Sequence, residues 1–214
     1  MAFSDEPIGT LETVATFDGP MPTGVTVSRS GRVFVNFPKW GDDVPATVTE
    51  LRDGKPVPFP DQRWNTPDGD DDERAFVSVQ SVVVDPADRL WVLDTGSPMF
   101  QPTRTGGPKL VCVDLGTDTV VRTIVFPPDV ALPTTYLNDV RFDLRRGGDG
   151  MAFITDSSDQ GPNGSSSSTW PRANHGGGCT STRRRRPNPS PPSGRWSKVA
   201  TSCSGRPGGD PQPV

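Results

Sequence analysis

The sequence predicts an all-β protein built from propeller-like blades, and three observations lead to that prediction. A hairpin pattern recurs three times, with Val33, Leu90 and Ala152 at equivalent points, 57 and 62 residues apart. Between these hairpins, apolar residues recur at every second position, as in half-buried strands. Helical periodicity is absent, and 25 prolines disfavour long helices. A β unit of about four strands at this spacing is typical of a propeller blade, and a β-sandwich of generic hairpins is the alternative.

The strands follow from this pattern in order along the chain. Each repeat begins with a short β-type run, passes through a polar turn and ends with an apolar run closed by Asn or Asp. A second hairpin follows each of the first two repeats, with turns at Asp53-Gly54 and near Gly116. Asp-Gly between alternating runs is a strong hairpin signal. The repeat hairpins are predicted at 24–37, 81–96 and 138–157, and the second hairpins at 46–57 and 109–126.

The chain changes composition after residue 164. Residues 1–164 carry 14 basic and 25 acidic side chains, whereas residues 165–214 carry eight basic side chains and one acidic side chain. The second segment contains 10 Ser, 8 Pro and 7 Gly, with two valines as its only aliphatic residues larger than alanine. So few apolar residues cannot offset an ordering entropy of about 1–2 kcal/mol per residue. We therefore predict a blade-forming part at 1–164 and a disordered tail at 165–214.

The blade-forming part resembles the major royal jelly/Yellow family, which includes bacterial members related to dopachrome tautomerase. The resemblance implies a six-bladed β-propeller, of which about three blades are present here, so the predicted fold is a partial six-bladed propeller with a disordered tail. The resembling segments run in family order across roughly residues 11–164: Arg32–Asn36 with Pro38–Trp40, Val79–Val82 with Leu90–Gly96, Tyr136–Asp143, and Ala152–Ser157.

Candidate ligand-binding residues stand at the start of each repeat's first strand. Ligands of propellers usually occupy the central funnel, which is lined by the ends of the innermost strands. The polar residues at equivalent points are Thr23, Gln80, Asn138 and Asp139, and we expect them to converge on one opening. Local turn or strand-edge roles are the alternative for each. Catalytic residues and metal ligands cannot be assigned from the sequence.

Three functions are compatible with this arrangement. The family resemblance implies a funnel that binds or converts small amines or dopachrome-like catechol derivatives. A gluconolactonase-like lactone hydrolase is the second hypothesis, in which Asn and Asp oxygens hold a divalent cation that activates water. The third hypothesis is a truncated fragment without activity, which self-associates because half a propeller exposes open sheet edges.

We interpret the tail as out-of-frame translation that begins near Gly164. Where the family pattern has an apolar strand, the chain has the serine run 165–168, followed by Thr169 and Trp170. Serine codons of the TCN type, read one base earlier, encode Phe, Leu, Ile or Val, and Thr-Trp becomes compatible with Asp-Leu. A natural low-complexity tail is the alternative. Under the frameshift hypothesis, the run Arg183–Arg186 results from GC-rich codons read out of frame and not from selection for positive charge. We therefore expect no specific nucleic-acid partner.

From the sequence as it stands, we expect neither a membrane span nor a cleaved signal. No apolar run approaches the roughly 20 residues that a bilayer requires. The N-terminus MAFSDEPIGT lacks the basic and apolar regions of a signal peptide. At face value this predicts a cytoplasmic protein without membrane contact, whereas the family resemblance implies secretion.

Overall fold

The computed structural model describes residues 9–67, 72–145 and 150–160, together with the backbone of three short strands between 165 and 201. The first sheet is a four-stranded antiparallel meander with the order β1-β2-β3-β4. Its tight turn at Asp53-Gly54 was predicted, and both residues there have positive φ angles, 51° and 73°. Such angles are typical of the two-residue turn of a twisted hairpin. The strands are β1 Gly24–Val27, β2 Val33–Asn36, β3 Val48–Arg52 and β4 Lys55–Pro58.

The second sheet repeats the same meander, β5-β6-β7-β8. A single-turn helix, α1 (Gln62–Asn65), precedes it, and Asp61 caps that helix by accepting a hydrogen bond from the Trp64 amide. The predicted turn near Gly116 is present, because the Asp114 carboxylate accepts hydrogen bonds from the Gly116 and Thr117 amides. The strands are β5 Val79–Val84, β6 Arg89–Thr95, β7 Pro108–Asp114 and β8 Thr119–Val125.

The third sheet begins like the others, with the antiparallel pair β9 (Leu137–Asp143) and β10 (Met151–Asp156). It then departs from the meander, because its order is β12-β11-β13-β10-β9 and β11 runs parallel to β13. The added strands are β11 Ser165–Ser168, β12 Thr182–Arg184 and β13 Ser197–Thr201.

These three added strands fall within the segment for which the sequence predicts disorder. The remainder of that segment, including most of the serine-to-arginine stretch used in the frameshift hypothesis, lies outside the described residues. The physical reason for the difference is the edge of β10, whose backbone N–H and C=O groups offer hydrogen bonds to any extended strand regardless of its side chains. β13 pairs with that edge, from Asp156 opposite Ser197 to Ala152 opposite Thr201.

The three sheets lie side by side as consecutive blades of a partial propeller. Their first strands are neighbours, since β1 contacts β5 and β5 contacts β9. The second sheet is buried on both faces, and the period-two alternation of β6 explains how. Leu90 and Val92 belong to the apolar cluster shared with the first sheet, whereas Trp91 and Leu93 belong to the cluster shared with the third. Full burial of each such side chain contributes about 1.5–3 kcal/mol.

A cluster of ion pairs joins the first two sheets at turns that lie at the ends of their strands. The Arg32 guanidinium contacts both Glu50, at 2.6 Å, and Asp118, at 2.7 Å, on the turn between β7 and β8. It also donates to the Leu115 carbonyl and lies 5.2 Å from the ring centre of Phe34. Because Arg32 belongs to the first blade and Asp118 to the second, this cluster fixes how the two blades meet.

No helix in the described part is long and apolar enough to cross a bilayer.

Candidate functional site

All four residues predicted to bind ligand line one cleft. It has a volume of about 460 Å³, lies along the first strands of the three sheets, and is called the inner-strand cleft below. Thr23 precedes β1, Gln80 belongs to β5, and Asn138 and Asp139 belong to β9. The structure therefore brings the four residues together, as the repeat pattern predicts.

Two of the four residues occupy β-bulges. In the β5–β6 pairing, Val79 lies opposite Asp94 and Ser81 opposite Leu93, so Gln80 has no partner on β6. In the β9–β10 pairing, Leu137 lies opposite Asp156 and Asp139 opposite Thr155, which leaves Asn138 without a partner. A bulge bends its strand and changes the direction of the extra side chain. The first sheet has no such irregularity, because β1 and β2 pair in continuous register.

The Thr23 hydroxyl is engaged in a local network. It donates to the Gln80 carbonyl oxygen at 3.2 Å and accepts from the Asn36 side-chain nitrogen at 2.8 Å. The same Asn36 nitrogen donates to the Val79 carbonyl oxygen at 2.9 Å. Thr23 thus joins the first blade to the second, and this contact matches the strand-edge role that the sequence left open. Gly24 is required beside it, since a Cβ there would lie 2.3 Å from Asn36 Oδ1.

Asp139 supplies the negative charge of the inner-strand cleft. One of its carboxylate oxygens accepts hydrogen bonds from the Ser81 hydroxyl at 2.9 Å, the Arg141 guanidinium at 2.6 Å and the Val140 amide at 2.8 Å. The side chain is 37% exposed, and that of Arg141 is 69% exposed. An exposed pair of this kind contributes little to stability. Asp139 and Arg141 therefore present a paired anion and cation to the cleft.

A second cleft adjoins the first and was not predicted. It has a volume of about 540 Å³, and we call it the aromatic cleft because Trp40, Phe100 and Tyr136 line one side. The Phe100 ring stacks on both others, with ring centres 5.5 Å from Trp40 and 5.2 Å from Tyr136. Each aromatic side chain comes from a loop of a different sheet. Phe100 is 61% exposed and, like Met99, has a positive φ angle, 56° and 53° respectively.

Gln80 and Asn138 belong to the linings of both clefts, so the two bulges mark the place where the clefts meet. Gln80 accepts a hydrogen bond from the Tyr136 hydroxyl at 3.0 Å, and that hydroxyl accepts one from Trp40 Nε1 at 2.7 Å. Burial raises the pKa of Tyr136, partly offset by the bond from Trp40, so the phenol stays protonated at neutral pH. The arrangement can hold a flat ring against aromatic walls while amide groups contact its polar substituents.

Two aspartates that close equivalent strands, Asp94 and Asp156, have structural roles. Asp94 accepts hydrogen bonds from the amides of Val77, Ser78 and Gly96. Asp156 does the same for the amides of Tyr136 and Ser158. In the second and third blades, the carboxylate thus links the residues before the first strand, β5 or β9, to the end of the next strand, β6 or β10.

A buried lysine accompanies Asp94 and was not predicted. Lys109 is fully buried, and its Nζ donates to Asp94 Oδ2 at 2.8 Å and to the Gly107 carbonyl oxygen at 3.0 Å. Lys109 begins the apolar run KLVCVDL, which gave no sign of an internal ion pair, because lysine is ordinarily exposed.

The part of the chain that the structure describes holds no group of three or more His, Cys, Asp or Glu side chains placed to bind a metal ion.

Comparisons with known proteins identify the relatives of this chain. Residues 77–161, which include β5 to β10, match the family model for the major royal jelly protein. Protein yellow of Drosophila erecta is 35% identical over 146 residues, which is 64% of this chain and 26% of that protein. Protein yellow of Drosophila melanogaster is 34% identical over the same shares, and that of Drosophila subobscura is 33% identical, over 64% and 25%. The chain thus spans about a quarter of the length of the curated relatives it matches. This chain is therefore similar to proteins of the major royal jelly/Yellow family, over residues 77–161 for the family model and over 146 residues for the yellow proteins.

Proposed function

We propose that this chain contributes part of a small-molecule binding site, and that the site lies where the inner-strand cleft and the aromatic cleft meet. The observation that carries the proposal is the convergence of Gln80 and Asn138, two bulge residues of separate blades, on both clefts. Binding pockets typically combine apolar and aromatic walls with a few placed polar groups. The stacked rings of Trp40, Phe100 and Tyr136 supply the walls here.

The ligand class we propose is a small aromatic amine or a catechol derivative of the dopachrome type. Three aromatic rings on one wall suit a planar ring. The Asp139 carboxylate and the two bulge amides suit amine, hydroxyl and carbonyl substituents. Binding is the minimal function, and conversion of the bound molecule is a further step of the same hypothesis. No observation in the described residues favours the alternative of metal-dependent lactone hydrolysis.

Titration with dopamine tests the proposal. We expect saturable binding, measured by calorimetry or ligand-observed NMR, and at least a fivefold rise in Kd for Gln80→Leu and for Asn138→Leu. Each variant removes the hydrogen-bonding groups of a buried or half-buried amide, which weakens the free energy of binding by about 1 kcal/mol or more. Gln62→Leu is the matched control, since Gln62 lies on α1 and lines neither cleft.

Two outcomes contradict the proposal. The first is the absence of binding to dopamine and to related amines and catechols at millimolar concentration. The second is binding that the Gln80 and Asn138 variants leave unchanged, because the ligand would then occupy another part of the molecule.

A further inference from the structure

The hydrogen-bond chain behind Gln80 has a fixed direction. It begins at Trp40 Nε1, which can only donate, and which donates to the Tyr136 hydroxyl oxygen at 2.7 Å. Tyr136 then donates its own proton to Gln80 Oε1 at 3.0 Å. The phenol keeps that proton because burial raises its pKa. The chain therefore runs from Trp40 through Tyr136 to the carbonyl end of the Gln80 amide.

The direction of this chain decides how the Gln80 amide is oriented. If the amide were reversed, the Tyr136 oxygen would accept from both Trp40 and Gln80, and the phenol proton would have no acceptor among its described neighbours. A buried donor without a partner is unfavourable, because it has given up its hydrogen bonds to water and gained none. The network thus selects the orientation with Oε1 toward Tyr136, which is the way such amides are assigned.

The free end of Gln80 is its NH2 group. Gln80 is only 9% exposed, and within the described residues its side-chain nitrogen has no hydrogen-bond partner, while the residue lines both clefts. The bulge at Gln80 places this side chain outside the regular pairing of β5 and β6. The Gln80 nitrogen is not among the described side-chain atoms that are both fully buried and unpartnered, so its free N–H groups are accessible from the clefts, where a bound molecule or water supplies the acceptor.

We propose that Gln80 is a specificity-determining residue that selects ligands offering an oxygen acceptor, such as a ring carbonyl or a quinone-type oxygen, and that Trp40 and Tyr136 are the positioning residues that fix this preference. The inference rests on the proposed function, since it names the polar contact of the same site. A protonated amine cannot satisfy Gln80, because both groups are donors. The amine of a ligand that carries one must lie elsewhere in the clefts.

A matched pair of probes measures the preference. 5-Fluoroisatin carries two adjacent ring carbonyls, whereas 5-fluoroindole has the same bicyclic size and fluorine position without a carbonyl acceptor. We expect fluorine NMR titration to give a Kd for 5-fluoroisatin about tenfold lower than that for 5-fluoroindole, the ratio for one additional hydrogen bond of ordinary strength.

Two variants test the positioning role, because they keep the aromatic wall but break the chain. In Tyr136→Phe, Gln80 Oε1 loses its donor. In Trp40→Phe, water entering the space left by the smaller ring can accept the phenol proton, so the phenol can accept from a reversed Gln80 amide. Each change lets Gln80 present its oxygen as well as its nitrogen to the ligand. We expect the Kd ratio of the two probes to fall by about fivefold in both variants, whatever change the altered wall makes to the two Kd values together.

Two further variants separate this effect from damage to the site. Gln80→Glu has the same shape but presents oxygen in place of NH2, and should raise the Kd for 5-fluoroisatin more than tenfold. Phe100→Leu alters the wall, and should weaken both probes together without moving their ratio.

The outcomes distinguish this inference from the proposed function. If 5-fluoroindole binds as tightly as 5-fluoroisatin, or if Tyr136→Phe leaves the ratio unchanged, Gln80 does not set the preference while the binding site stands. A protein that binds dopamine but not 5-fluoroisatin contradicts the inference in the same way. If dopamine and both probes fail to bind, the proposed function and the inference fall together.

Discussion

Replacement of Lys109 by methionine should strongly destabilise the second blade. Methionine keeps most of the volume of the side chain but removes the Nζ that donates to Asp94 Oδ2 at 2.8 Å. The Asp94 carboxylate, itself fully buried, then keeps only the three amide donors of Val77, Ser78 and Gly96. Removing one partner of a buried ion pair costs about 3–5 kcal/mol, because a charge remains buried without compensation.

Urea denaturation followed by tryptophan fluorescence measures this loss. With a slope of about 1–3 kcal/mol per molar urea, a loss of 3–5 kcal/mol lowers the midpoint by roughly 2 M. Lys55→Met is the matched control, since Lys55 is exposed on β4 and should change the free energy of unfolding by less than about 0.5 kcal/mol. The double variant Lys109→Met with Asp94→Asn should lose less than the sum of the two single changes, because the buried charge is then absent. A loss below about 1 kcal/mol for Lys109→Met alone would refute the reasoning.

Three further predictions follow from individual contacts. Hydrogen bonds from Arg32 lower the pKa of Glu50 in the folded protein, so the ionised Glu50 stabilises the fold above about pH 4.5 and this stabilisation is lost as the pH falls through the folded pKa. In Glu50→Gln, the free energy of unfolding measured with urea from pH 7 to 3 should therefore depend less on pH. Gly24→Ala should destabilise the protein by about 1–3 kcal/mol in a thermal melt, because its methyl group would displace the Asn36 side chain. Burial raises the pKa of Cys112 to about 12, so its alkylation at pH 8 should be at least a hundredfold slower in the native protein than in urea.

Each of these predictions has its own control. Gly9→Ala should leave the melt unchanged, since a Cβ at Gly9 meets no atom within 4 Å. The alkylation experiment uses a variant in which Cys179 and Cys203 are serine, so that Cys112 is the reacting thiol. A stability profile of Glu50→Gln parallel to that of the unaltered chain, an unchanged melt for Gly24→Ala, or rapid alkylation of native Cys112 would contradict the respective account.

The sequence was sufficient for the fold class and for bringing the four candidate residues to one cleft, whose ligand binding stays a prediction. Alternation of period two assigns alternate side chains of β6 to opposite faces, and the repeated hairpins place Gln80 and Asn138 at equivalent points of neighbouring blades. The bulges at these two residues were not predictable, because one extra residue in a strand is a matter of pairing register and leaves no compositional signal.

The aromatic cleft was missed for a different reason. Trp40 and Tyr136 are 96 residues apart, and both lie in loops whose course depends on the packing of three sheets. Trp40 belongs to the Pro-Lys-Trp segment that resembles the family, but that segment does not indicate which side chains Trp40 contacts. The pairing of β11 to β13 depends on backbone groups at the β10 edge rather than on apolar side chains, so the composition of that segment does not indicate it.

The central claim is that Gln80 and Asn138 form one binding point between two clefts. Side-chain amide NMR tests it most directly, with the two NH2 signals assigned from the spectra of Gln80→Leu and Asn138→Leu. On addition of 5-fluoroisatin, both signals should shift along a common binding curve while the signal of Gln62 stays in place. Unmoved Gln80 and Asn138 signals in a sample that binds the probe, or shifts confined to amides outside the two clefts, would contradict the account.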